Sequence, residues 1–415
     1  MSGGIQMNDP LSFSEHILSS GLTVFFQRRE VPWFECVMIV GVGARHDPPD
    51  KEGLSHLLEH CLSTGTQGME QMNLVELQRW IAAQQFIFDL GGTNFDCTLF
   101  QGKTFTRHAK RFFRFLDGFL RRPLLESVDH EREIIRRERE EALNPKRREM
   151  FRVRREAVFG RHPLSRMNAI PEDAVLDGLT VEDIREMHRR YYRCPNMKLV
   201  VIGGLRRDRL LRTLEGVFSP ENKGFIPIPR PPPVDLGVPE PREIRERFHD
   251  GQAQTVDIEY VWHLPPQDHT HLVILREILR EILMERLREQ LRLTYNVSCD
   301  NDRNLDHSTF TISTEVEPDK VDQAREEIER IITCLPLIES VFPMKKAEYC
   351  TEMGFIDLTV GEIIGVVAKT VAIDGKPRTL KEATERYASI GQEDISRLLR
   401  DFINPERAFV EIIEW

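Results

Sequence analysis

Between residues 221 and 241 the chain carries Pro227, Pro229, Pro231, Pro232, Pro233, Pro239 and Pro241, a density of proline that forbids continuous helix or central strand. The stretch predicts an extended, semi-rigid linker over 221–243. It separates two halves of similar size, 1–220 and 244–415, whose ends resemble each other. In the first, Val181-Glu182-Asp183-Ile184 opens an amphipathic helix, followed by Pro195-Asn196-Met197 and an apolar strand from Lys198 to Ile202. In the second, Gln392-Glu393-Asp394-Ile395 leads to Asn404-Pro405-Glu406 and a strand from Ala408 to Ile413. Matched segments about half a chain apart point to duplication of one domain.

Each half opens with strand-like alternation, Leu22 to Gln27 and Val37 to Val42 in the first and Thr255 to Trp262 in the second. Each then turns to helical spacing, over Leu54 to Leu62 and Leu272 to Gln290. Strands followed by separate helix runs favour an α+β fold, two homologous α/β-sandwich domains, over a doubly wound sheet. The formal charge of -10 argues against general nucleic-acid binding, which needs clustered positive charge. Runs such as Arg152 to Arg155 read as solvated helix faces.

The segment Met1 to Phe13 lacks a basic start and a continuous apolar core, and no later segment approaches the roughly 18 apolar residues of a membrane span. Cys36, Cys61, Cys97, Cys194, Cys299, Cys334 and Cys350 are scattered and never spaced Cys-x-x-Cys, so neither a disulfide framework nor a cysteine zinc site is signalled. These features lead to the expectation of a cytoplasmic protein with no membrane or nucleic-acid partner.

The chemistry concentrates in Gly53-Leu54-Ser55-His56-Leu57-Leu58-Glu59-His60-Cys61, where helical spacing begins after Asp47-Pro48-Pro49-Asp50. Residues four apart share a helix face, so both imidazoles can reach one metal ion while Glu59 borders the same place. Zinc with three protein ligands keeps a fourth position for water, and a carboxylate that is not a ligand can take the proton. His-x-x-Glu-His is a motif of the inverted zincins.

A third ligand is needed, and Glu131 to Ala142 offers several carboxylates. At about 100° per residue, Ile134, Ile135 and Ala142 define an inward stripe that includes Glu131 and Glu138, whereas Glu133 and Glu140 point away. An inward carboxylate is costly unless it binds metal or pairs with charge. Glu138 is therefore expected as the third ligand, and Glu131 as the partner that orients a metal-bound imidazole.

With these residues in place the sequence resembles the pitrilysin/insulinase family, particularly its half-length branch of mitochondrial processing peptidases and bacterial relatives. The likeness covers nearly the whole chain. Besides His56-Leu57-Leu58-Glu59-His60 it is carried by Gly21-Leu22-Thr23-Val24, Gly65-Thr66, Glu131 through Glu138, His162-Pro163-Leu164, Leu179 through Ile184, and Tyr191-Tyr192 before Pro195. The family's metal glutamate again falls on Glu138.

Other roles are implied by the resemblance. Arg288 and Tyr295 match the family's arginine and tyrosine pair that contacts substrate opposite the zinc. A phenol and a guanidinium there can support the charge that develops on the scissile carbonyl. An edge strand reading Asn-Ala-x-Thr in the family corresponds to Gly91-Gly92-Thr93-Asn94-Phe95-Asp96-Cys97-Thr98, where Asn94 is the candidate substrate contact and is one residue out of phase with Thr98. Peptide addition to such an edge needs no particular side chain. Around His271-Leu272-Val273-Ile274-Leu275 the second half lacks the Glu-His completion, so only the first half is expected to hold metal.

The resemblance thus implies a zinc metalloendopeptidase acting on unfolded or small precursor peptides inside a clamshell of two subunits, a homodimer or a heterodimer with a related chain. The second domain of one subunit would reach the zinc of the other. Two rivals remain: a maturation protease that trims a leader with a distinct partner subunit, and a non-catalytic scaffold subunit. The intact set of His56, Glu59, His60 and Glu138 counts against the scaffold.

Overall fold

Alternating and continuous apolar runs assemble into two sheets. The computed structural model describes residues 9–66, 72–125, 127–142, 145–166, 171–220, 228–234, 236–240, 242–247, 253–266, 269–355 and 357–415. Its strands are β1 (Ser14–Ile17), β2 (Thr23–Arg28), β3 (Trp33–Val40), β4 (Phe86–Phe88), β5 (Gly92–Thr93), β6 (Thr98–Phe105), β7 (Met197–Gly203), β8 (Glu243–Arg247), β9 (Val256–Leu264), β10 (Thr294–Arg303), β11 (Ser308–Val316) and β12 (Phe409–Glu414). The helices through residue 217 are α1 (Leu54–Leu62), α2 (Leu74–Ala83), α3 (Ala109–Arg121), α4 (Val128–Ala142), α5 (Pro145–Phe159), α6 (Asp173–Gly178), α7 (Val181–Tyr191) and α8 (Arg207–Val217). Those that follow are α9 (His269–Leu283), α10 (Val321–Thr333), α11 (Leu335–Gly354), α12 (Val360–Asp374), α13 (Leu380–Ser389) and α14 (Gln392–Asp401).

One unit comprises Met1–Ala142, Met167–Pro229 and Asp357–Leu380. Among the described residues its sheet runs β1-β2-β7-β3-β6-β4, with β5 also paired to β6. Only the β2–β7 pair is parallel. One face of this sheet carries Val24, Phe26, Met38, Val40, Leu199 and Val201 into a core shared with Leu57, Leu58, Phe112 and Phe119 of α1 and α3. The other face turns Phe25, Val37, Ile39, Val200 and Ile202 toward Ile363, Ile364, Val367, Ala368 and Val371 of α12. Fully burying such a side chain contributes about 1.5–3 kcal/mol, so both covers are needed for a sheet whose central strands are apolar on both sides.

The other unit comprises Leu143–Arg166, Arg230–Ile356 and Lys381–Trp415. Among the described residues its sheet runs β10-β11-β9-β12-β8, again with a single parallel pair, β12–β8. The order and sense reproduce β4-β6-β3-β7-β2, which is the duplication expressed as topology. Its second face receives α5, where Ala157 and Val158 pack on Val261 and Phe409, and Arg154 pairs with Glu259 and with Glu411 at 2.8 Å.

The mixed α/β fold expected from the sequence is the observed one, whereas the units depart from contiguous halves at 1–220 and 244–415. Each sheet takes its second cover from a helix of the other half of the sequence, α12 on the first and α5 on the second. An apolar helix face announces burial but not which sheet it will cover. Of the expected linker, 221–227, 235 and 241 lie outside the described residues, and 228–234 and 236–240 form neither helix nor strand. No helix among the described residues is long and apolar enough to cross a membrane.

Candidate metal centre

The centre is built on α1. Gly53 stands at φ 84°, a left-handed conformation that glycine adopts without strain, and turns the chain into the helix. The Asp47 carboxylate then accepts from the backbone N–H of Gly53 at 2.8 Å and of Ser55 at 2.9 Å, satisfying donors at the start of the helix. Leu54, Leu57, Leu58, Cys61 and Leu62 lock the opposite face into the core. His56, Glu59 and His60 are left on the face that meets α4.

The two imidazoles meet edge to face, with Nε2 of His60 3.2 Å from Nε2 of His56. Oε2 of Glu138 lies 3.6 Å from the first and 3.9 Å from the second. Four-coordinate zinc, with bonds near 2.0–2.1 Å, holds neighbouring ligand atoms about 3.3–3.4 Å apart. Two imidazole nitrogens and a carboxylate oxygen thus form a triangle whose sides lie within about 0.6 Å of what the ion needs. Nδ1 of His60 faces Oε2 of buried Glu131 at 3.4 Å, which favours the tautomer that turns the Nε2 lone pair into the triangle. Burial alone would lower the His60 pKa, yet the Glu131 hydrogen bond and the charges of Glu59, Glu138 and Glu131 raise it on balance. The field at this point attracts a cation.

Helix α4 carries Glu131 and Glu138 on one face around buried Ile135, and Glu133 and Glu140 are exposed, as their phase requires. One refinement is needed: the Glu138 side chain is 41% exposed, so it reaches the triangle from the solvent side and is not an interior carboxylate. Buried Arg139 was not legible in the sequence. Its guanidinium donates to the Pro171 carbonyl at 2.8 Å and to Asp173 at 2.7 Å, which fixes α4 beside the start of α6.

Glu59 is 9% exposed, and burial raises its pKa to about 7 against the lowering influence of His60 and of a hydrogen bond from Thr93. The Thr93 hydroxyl donates to Oε2 of Glu59 at 3.2 Å. Asn94, the sequence-derived candidate, lies just past the two-residue edge strand β5. Its carbonyl accepts from the Ala44 N–H at 3.0 Å and its own N–H donates to the Cys97 carbonyl at 2.8 Å, so its backbone closes a loop. A sequence reading that placed the edge strand one register earlier would have found Thr93.

Arg288 and Tyr295 lie in the second unit, Arg288 in a π-helical turn over Met284–Gln290 that continues α9, and Tyr295 at the start of β10. The guanidinium carbon sits 5.0 Å from the centre of the Tyr295 ring, and that residue is 84% exposed. A second histidine–acid group in this unit, His162, Asp306 and His307, is buried. Here the Leu164 N–H donates to Nδ1 of His162 at 3.2 Å, so Nε2 carries the proton and gives it to Asp306 at 3.0 Å. Nδ1 of His307 lies 2.8 Å from the other oxygen of Asp306. Ligation through Nε2 would force a proton onto Nδ1 against the Leu164 N–H, so this group is a structural hydrogen-bond network.

Residues 27–172 match the profile of the insulinase family, peptidase family M16, and residues 178–333 that of the peptidase M16 inactive domain. A protein described as probable mitochondrial-processing peptidase subunit beta, from Schizosaccharomyces pombe, is 24% identical over 58% of this chain and 50% of its own length. A protease from Helicobacter pylori has the same fold, with a TM-score of 0.80 at 17% identity over 97% of this chain and 99% of its own. The periplasmic protease PqqL from Escherichia coli gives a TM-score of 0.78 at 14% identity, over 97% of this chain and 47% of its own. The chain spans between 24% and 50% of the length of the first curated relatives it matches.

Proposed function

The chain belongs to the M16, or insulinase, family of peptidases, and on that premise we propose that it is a zinc metalloendopeptidase, with His56, His60 and Glu138 holding the ion and Glu59 as general base. The observation that carries this reading is the triangle of Nε2, Nε2 and Oε2 atoms with sides of 3.2, 3.6 and 3.9 Å, bordered by a buried carboxylate that is not part of it. Bound there, zinc supplies Lewis acidity that polarises a scissile carbonyl and acidifies water. Glu131 holds His60 in the required tautomer. Glu59, with its pKa raised to about 7, takes a proton from water and returns it to the leaving amine. Arg288 and Tyr295 are assigned to the substrate and the developing oxyanion, and we extend the assignment to a dimer in which they serve the partner's site.

The substrate is an unfolded or short peptide, added as a strand along β5. Dedicated precursor maturation with a related partner subunit is a second reading, favoured by the relative that is named as one subunit of a processing peptidase. The cytoplasmic location is kept as part of the proposal, supported by seven cysteines of which none is joined to another. A mixed peptide library incubated with the purified protein tests the central reading. Internal cleavage that stops with chelator and returns with zinc supports it; cleavage indifferent to chelator, or none with zinc present, refutes it.

A further inference from the structure

Glu59 is seated against the strand that edges the sheet beside it. Gly91, at φ 137°, leaves space that a side chain would fill: a Cβ there would come 2.9 Å from Cγ and 3.0 Å from Oε1 of Glu59. Two residues on, the Thr93 hydroxyl lies 3.2 Å from Oε2 of the same carboxylate. A competing acceptor for the Thr93 proton is Oγ1 of Thr98 at 3.5 Å. Thr98 is fully buried and spends its own proton on the Val42 carbonyl at 2.8 Å, so it cannot donate to Thr93. An ionised carboxylate is both the nearer and the stronger acceptor. The Thr93 proton therefore goes to Oε2, which leaves Oε1 as the oxygen free to exchange a proton.

We propose that Thr93 is a positioning residue for Glu59: its hydroxyl fixes one carboxylate oxygen so that the other presents a lone pair in constant orientation, and Gly91 supplies the room in which that carboxylate sits. This inference rests on the peptidase reading above. When Glu59 takes a proton from water, the O–H bond of water breaks and the new O–H bond forms at Oε1. Thr93 stays neutral throughout. Deleting the hydrogen bond leaves the Glu59 carboxylate free to turn away from the position that Oε1 holds. Position governs the rate, because small displacements of a reacting group can cost about a hundredfold.

The test compares Thr93→Val and Thr93→Ala, which remove the hydroxyl without and with a change of volume, respectively, with Thr93→Ser, which keeps it. Zinc content, kcat and KM are measured on each, and the Thr93→Val protein is crystallised. Both hydroxyl-free variants should keep wild-type zinc and KM while kcat falls about ten- to a hundredfold, the scale of a hydrogen bond to a charged group. Thr93→Ser should stay within about threefold of wild type by the same reckoning, and the Glu59 carboxylate in Thr93→Val should rotate or occupy two orientations. Unchanged kcat in Thr93→Val and Thr93→Ala, beside a wild type with chelator-sensitive activity, overturns the positioning role alone. So does a Thr93→Ser protein as impaired as the other two, since that makes the residue a matter of strand shape. A wild type with no zinc-dependent cleavage removes the peptidase reading, and this inference with it.

Discussion

Replacing Glu131 separates holding an imidazole from binding metal directly. Its Oε2 faces Nδ1 of His60 at 3.4 Å from a position that is 5% exposed, so water does not readily take its place. On the zinc reading the carboxylate would fix the tautomer and add negative charge next to a doubly charged ion. Glu131→Gln keeps an acceptor for the Nδ1 proton and loses the charge; Glu131→Leu loses both. Partners of metal-bound histidine typically contribute about 10- to 100-fold in affinity, or about 1.4–2.8 kcal/mol, and the amide belongs at the low end and leucine at the high end. Removing a buried charge also removes its desolvation cost, so the melting temperature of the metal-free protein should change little. The assay titrates metal-free protein with zinc against a competing chelator at mildly alkaline pH, where protons compete least for His60. Equal zinc affinity in wild type and both variants would refute the argument and leave Glu131 as a buried structural acid.

Glu59→Gln should keep full zinc and peptide binding while turnover falls by about 100-fold or more, the usual span for loss of a general base; a loss under about tenfold contradicts the role. If each site draws Arg288 and Tyr295 from a partner chain, Glu59→Gln and Tyr295→Phe proteins, each crippled alone, should recover on mixing to about a quarter of wild-type activity, as independent sites add. No recovery after native mass spectrometry has verified subunit exchange would place Tyr295 in its own chain's site or in none. Asp47→Ala, which strips two acceptors from the start of α1, should lower stability by about 1–2 kcal/mol, seen in denaturant unfolding of the metal-free protein. An unchanged midpoint would show that the cap is dispensable.

What could be read from the sequence follows what each residue's pattern encodes. Helix α1 was legible because its apolar spacing and its start after Gly53 are local, and the range read as Leu54 to Leu62 is the range observed. Glu131 and Glu138 were separable from Glu133 and Glu140 because helical phase alone sorts them. Phase could not say that Glu138 stands at the open side of the site, since exposure depends on what packs nearby. The edge strand shows no alternation in the sequence because β5 is two residues long and one of them, Gly92, has no side chain. Asn94 stands out in the sequence only through the likeness to the family's Asn-Ala-x-Thr pattern, and the contact of Thr93 with Glu59 is visible only in the folded chain. The exchange of α5 and α12 was out of reach: Ile363, Ile364 and Val367 announce a buried face, and only the folded chain shows that it covers β3 and β7.

The central claim, that His56, His60 and Glu138 bind one zinc ion, is tested most directly by elemental analysis of the purified protein and of His56→Ala, His60→Ala and Glu138→Ala. Wild type should carry about one zinc per chain, because the site closes a single three-ligand set. Each variant should lose most of that metal while its unfolding remains cooperative. Zinc held at wild-type level in all three variants would contradict the account.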